Sequence, residues 1–145
     1  MKRLHVHVGV KDMDEAIAYY TAMFGAEPVK VKTDYAKWAP DDLGVNFAVS
    51  KSCGCGSSGG GVGHLGVEVT DDDELARIGM RLDAAKAPMR VDGDVSCCYA
   101  KSKKAWSEDP AGVKWELFRT YGDAEELAPT LVGERDLEGF SDRAS

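Results

Sequence analysis

No stretch of this 145-residue chain is apolar for long enough to cross a bilayer, and its N-terminus carries no apolar signal core. Those absences point to the reducing cytoplasm, where thiols stay free. Positive charge is scarce as well. Eighteen Lys and Arg face twenty-five Asp and Glu, a net charge of −7, which argues against a nucleic-acid or anionic-membrane partner. The imbalance is concentrated at one end. Residues 121–145 hold seven acids (Asp123, Glu125, Glu126, Glu134, Asp136, Glu138, Asp142) against Arg135 and Arg143, so they carry −5 of the total. They also lack a periodic apolar pattern, which predicts an acidic, loosely ordered tail beyond a single domain over 1–120. Histidine and cysteine are few, three and four residues respectively.

What is present repeats. L4-H5-V6-H7-V8-G9-V10 alternates as a strand, with the aliphatic residues on one face and His5, His7 and Gly9 on the other. Asp12 and Glu15 form a capping box ahead of a helix striped by Met13, Ile17, Tyr20 and Phe24 and ended by Gly25. Fifty-nine residues on, His64, Asp71 and Glu74 stand where His5, Asp12 and Glu15 stood. H64-L65-G66-V67-E68-V69 is the second opening strand, and Leu75, Ile78 and Leu82 stripe the second helix. Short strand-like runs follow each helix: 28–32, 35–39 and 45–49, then 89–91, 98–100 and 113–118. The expectation is an α+β fold of two tandem βαβββ modules, about 1–52 and 63–120, joined by a glycine-rich linker over 53–62.

Two such modules in this length resemble the vicinal oxygen chelate superfamily of glyoxalase I, extradiol dioxygenases and bleomycin-resistance proteins. The resemblance implies paired sheets forming an open cup, with metal ligands drawn from the first strand of each module and from the last strands. His5 and His64 occupy equivalent first-strand positions, and Glu116 lies in the last strand of module 2 with Lys114 and Phe118 on its face. The corresponding place in module 1 falls near Ala48, which cannot bind a metal. Two imidazoles and one carboxylate suit Fe(II) and leave positions for substrate and O₂; Ni, Co or Mn can take the same donors in a crystal. The alternatives are plain. Glu116 would otherwise pair with a cation such as Lys114. His7, on the His5 face, would be ordinary packing, a partner of a ligand, or the ligand itself in a shifted register.

Cys97 and Cys98 are adjacent. Neighbouring Cα atoms lie about 3.8 Å apart, below the usual disulfide span of about 4.4–6.8 Å, so two free thiols are the better expectation. Zinc would want four ligands and CxxC-type spacing. A larger soft centre such as trivalent arsenic can bridge both sulfurs if a bulge or turn brings them to one side. An organoarsenical fits best by valence, since carbon fills one bond and two remain for sulfur. The alternative is a pair of small buried hydrophobes.

Cys97-Cys98-Tyr99-Ala100 followed by Lys104, Trp106, Pro110, Gly112, Trp115 and Glu116, with Tyr35-Ala36, Ala26-Glu27-Pro28 and H64-L65-G66-V67-E68-V69, resembles the organoarsenical C–As lyase and cadmium-induced protein family. The likeness spans about residues 1–121. It implies Fe(II)- and O₂-dependent release of arsenite from trivalent organoarsenicals, with Cys97 and Cys98 holding arsenic and His64 and Glu116 holding iron. His5 stands where that family usually has glutamine, and Ser96 where it has threonine. Tyr35 and Tyr99 would close over the substrate or simply pack. Cys53 and Cys55 would be auxiliary thiols or part of an incidental connector. The partners implied are the arsenical and O₂, in a monomer or homodimer. Two other readings stand beside this one: a thiol-based cadmium or arsenic sequestering protein without turnover, and an extradiol-type dioxygenase with incidental cysteines.

Overall fold

Asp12 and Asp71 cap the two helices as their sequence context predicts, each side chain accepting the backbone N–H three residues on, from Glu15 at 2.9 Å and Glu74 at 2.7 Å. The computed structural model describes residues 2–51, 60–97, 99–123 and 130–131. Cys53, Cys55 and Cys98 lie outside the described residues, as do 124–129 and 132–145 of the expected tail.

Module 1 comprises β1 (Arg3–Gly9), α1 (Met13–Phe24), β2 (Lys30–Lys32), β3 (Tyr35–Trp38) and β4 (Val45–Ser50). Module 2 repeats it as β5 (Gly61–Glu68), α2 (Asp72–Ala84), β6 (Met89–Cys97), β7 (Ala100–Glu108) and β8 (Lys114–Asp123), followed by a short β9 (Thr130–Leu131). The strands form one mixed sheet in the order β2-β3-β4-β1-β5-β8-β7-β6-β9. Its two halves mirror each other about the β1–β5 junction: β1 runs parallel to β4, β5 runs parallel to β8, and β1 meets β5 antiparallel. The sheet is an open cup, and the α+β expectation holds.

Alternation sorts the two faces. Val6, Val8 and Val10 pack with Met13, Ala16, Ile17, Tyr20 and Phe24 of α1 around Trp38 and Phe47. Val67, Val69 and Leu117 pack with Leu75, Ile78 and Leu82 of α2. Both helices therefore cover the outer face, which leaves His5, His7, His64 and Glu116 on the inner one.

Three boundaries differ from the sequence reading. β5 starts at Gly61, inside the expected linker. β8 runs to Asp123 because β7 pairs with it as far as Ala100, and β9 pairs with β6 through Val95↔Leu131 and Ser96↔Thr130, so the sheet continues past residue 120. Of the run 98–100, read as strand, Ala100 opens β7 and Tyr99 stands outside the strands. Cys97 pairs with Ala100, and Tyr99 is a turn residue at φ 59°.

Candidate metal centre

The β1–β5 junction brings His5 and His64 together. In register, Asn46, His5, Gly66 and Glu116 form one row across β4, β1, β5 and β8. A side chain at position 66 would block that row. A Cβ there would stand 2.5 Å from the Glu116 carbonyl oxygen and 3.2 Å from its Cβ. Glycine lets the Glu116 carboxylate and the His5 imidazole meet over the bare backbone.

His5, His64 and Glu116 are all buried, and one donor atom of each lies within 4.8 Å of the others. The triangle is tighter than that bound. His5 Nε2 is 3.1 Å from His64 Nε2, and Glu116 Oε2 is 2.9 Å from His64 Nε2 and 3.4 Å from His5 Nε2. Bonds of about 2.1 Å meeting at about 90–109° place neighbouring ligand atoms about 3.0–3.4 Å apart. The three donors thus have the spacing of one face around a single ion.

Their chemistry agrees. His5 Nδ1 faces two acceptors, the Asn46 carbonyl at 3.0 Å and Asn46 Oδ1 at 3.3 Å. It must carry the proton, so Nε2 presents a lone pair to the triangle. Asn46 is fixed in turn by donating to Glu68 Oε2 at 3.0 Å, a carboxylate–amide–imidazole chain of the kind that orients ligating histidines. Burial holds the His5 imidazole below its ordinary value against the pull of Glu116. Burial alone would push Glu116 up. The Lys104 ammonium and the His64 hydrogen bond outweigh it and hold the carboxyl well below the usual range. A neutral imidazole and an ionised carboxylate are the forms that ligate a divalent cation.

The cation at Glu116 comes from β7, not from within β8. Lys104 Nζ pairs with Glu116 Oε1, and Lys104 lies against the Phe118 ring at 5.8 Å. Lys114 lines an open depression of about 970 Å³ with Trp106, Met89 and Arg90, and His64 borders it as well. His7 sits beside the triangle. Its Nε2 is 3.0 Å from Ser50 Oγ, and its ring stacks on His64 with centroids 4.8 Å apart. Ala48 is the structural counterpart of Glu116, since His7↔Ala48 in module 1 corresponds to Gly66↔Glu116 in module 2.

A small cavity of about 30 Å³ adjoins the triad, lined by Tyr35, Ala100, Ser102, Lys104 and Phe118 as well. Ala100, the backbone partner of Cys97 at the end of β6, is among the residues lining this cup. Tyr99 fastens that end to module 1. Its hydroxyl donates to Asp34, its carbonyl accepts from Lys30 Nζ at 2.8 Å, and its ring packs on Tyr35 with centroids 5.6 Å apart. Asn46, Ser50, Asp34 and Lys30 went unread in the sequence, and Glu68 and Lys104 were read only as motif matches. Their roles depend on strand pairing between distant segments.

Residues 2–117 match the model of the glyoxalase/bleomycin resistance protein/dioxygenase superfamily. The chain belongs to that superfamily. Within it, the chain is 38% identical over 127 residues to a trivalent organoarsenical cleaving enzyme of Bacillus sp., a match covering 87% of this chain and 78% of that one. It is 32% identical over 125 residues to a cadmium-induced protein of Mycobacterium tuberculosis, covering 86% and 80%. It belongs to the family those relatives represent. Among solved structures, an extradiol ring-cleaving dioxygenase from B. fuscum superposes with a TM-score of 0.58 at 14% identity, over 86% of this chain and 34% of that one. That likeness extends the superfamily fold to a structure of distant sequence.

Proposed function

We propose that this protein cleaves the carbon–arsenic bond of trivalent organoarsenicals such as methylarsonous acid and releases arsenite, with Fe(II) on His5, His64 and Glu116 and O₂ as oxidant. The observation that carries the reading is one cup wall. Ala100, next to the Cys97–Cys98 pair, and the buried triad line the same cavity, in a chain whose relatives are named for organoarsenical cleavage.

When bound, Fe(II) would supply open positions for O₂ beside the substrate. The rest falls to the chain. Cys97 and Cys98 satisfy two valences of arsenic through sulfur, which leaves the carbon substituent as the third. Asn46 keeps the His5 lone pair aimed inward. Burial of the triad excludes bulk water from the reacting carbon, and Tyr99 anchors the turn against Asp34 and Lys30. The cytoplasm is the matching compartment, because it keeps the two thiols reduced.

The test is arsenite release. Anaerobic, reduced protein loaded with Fe(II) is given methylarsonous acid and then air. Arsenite should appear with the iron-loaded protein only, and Cys97→Ser or Cys98→Ser should abolish it. No arsenite from iron-loaded, reduced protein overturns the reading. The cadmium-induced relative favours a second possibility, sequestration through the thiols, which would give stoichiometric arsenical binding and no turnover. Turnover unaffected by either cysteine substitution would mark an oxygenase with incidental thiols.

A further inference from the structure

Glu116 has two carboxylate oxygens, and the structure uses them differently. Oε2 faces both imidazoles, while Oε1 is taken by Lys104. Lys104 is no surface cation that wandered in. It is 9% exposed, it belongs to the inward row of β7 with Ala100 and Ser102, and its ammonium lies over the Phe118 ring. A lysine sealed in a cup needs a reason, because an ammonium loses several kcal/mol of hydration on burial unless it is paired, of order that size even after relaxation.

We propose that Lys104 is a positioning residue for the metal centre: by holding Glu116 Oε1 it limits the carboxylate to one bond with the ion, and by cancelling its charge it leaves a bound divalent ion electrically under-compensated. This rests on His5, His64 and Glu116 as the ion site. Two consequences follow. A one-toothed Glu116 keeps a coordination position open that a two-toothed carboxylate would fill. With neutral imidazoles and a neutralised carboxylate, a divalent ion brings its full charge into a buried cup, so the site draws in anionic or strongly electron-donating partners and holds the bare ion only weakly. The binding of the ion and the arrival of such a partner are thereby coupled.

The experiment reads metal binding, not turnover, with Co(II) alone as probe in anaerobic, reduced full-length protein. Lys104→Met removes the ammonium and keeps an unbranched side chain of similar length. It should bind Co(II) on the order of tenfold more tightly, from the lost repulsion. Its visible absorption should weaken and shift as the second carboxylate oxygen joins the ion. Lys104→Arg keeps the charge and should restore the native affinity and spectrum. A merely structural lysine would give the opposite, with Co(II) affinity unchanged or lowered and the spectrum unaltered, and that result overturns the inference. Should Lys104→Met fail to fold by circular dichroism, Lys104→Gln takes its place and is read in the same way. Absence of Co(II) binding by the unsubstituted protein would instead overturn the ion site itself, so the two failures are distinguishable.

Discussion

Gly66 shows how much chemistry an absent side chain can carry. It sits between His5 and Glu116 in the row that builds the triad, with 2.5 Å between its would-be Cβ and the Glu116 carbonyl. Gly66→Ala must push β5 and β8 apart or swing Glu116 aside. Overpacking of this kind costs about 1–3 kcal/mol. A lowered melting temperature together with weakened Co(II) binding is the expected pair of results, and unchanged metal affinity would mean that the row has slack. The repeat made His5 and His64 legible as a pair, and alternation put Glu116 on their face. Lys104 was not legible as the Glu116 partner. It lies twelve residues from Glu116 on another strand, and only the β7–β8 register places it diagonally across from the carboxylate.

At the scale of elements, the first modules of pattern were readable and the last were not. β1, α1, β5 and α2 follow apolar periodicity and capping. β6 and β7 were seen only as short runs, because their inner residues are polar. Ser102 and Lys104 face the cup, while Lys103 on the outer face pairs with Asp72 at 2.6 Å. A strand polar on both faces has no hydrophobic alternation to read. The β6–β7 reversal is fastened to the β2–β3 hairpin through Tyr99, Asp34 and Lys30. Asp34→Ala should therefore release the turn while leaving the triad intact. Arsenite release should drop several-fold with Co(II) affinity near native; a matched loss of both would place Asp34 in general stability instead.

The triad also governs how the metal-free molecule responds to acid. The His5 imidazole is held below its ordinary value of 6.5, chiefly by burial. Once the pH falls below that value, the unfolded chain takes up a proton that the native His5 refuses, so stability is lost as acidity rises. Glu116 acts in the same sense further down. Its carboxyl is held low in the folded state, so its contribution is present at neutral pH and fades as the pH falls through the carboxylate range. Melting temperature should fall between about pH 7.5 and 5.5, and His5→Gln should flatten that part of the curve. A melting temperature that rises with acid would contradict this assignment.

The whole molecule is a twofold repeat whose site breaks the symmetry. Each module donates a histidine from its first strand, yet only module 2 supplies a carboxylate. Ala48 occupies the place where the Glu116 equivalent would project, and it is 1% exposed. Ala48→Glu restores the missing half. In metal-free protein the new carboxylate would stand buried near Glu116, with Lys37 across the β3–β4 ladder as its nearest cation, and crowding two carboxylates there costs several kcal/mol before either group takes up a proton. The melting temperature should therefore drop, and a divalent ion should recover much of the loss by binding the fourth donor. Metal affinity should rise above native while arsenite release disappears, because the added carboxylate fills a position the reaction needs. Raised affinity with activity retained would show that the asymmetry at Ala48 is not what keeps the centre open.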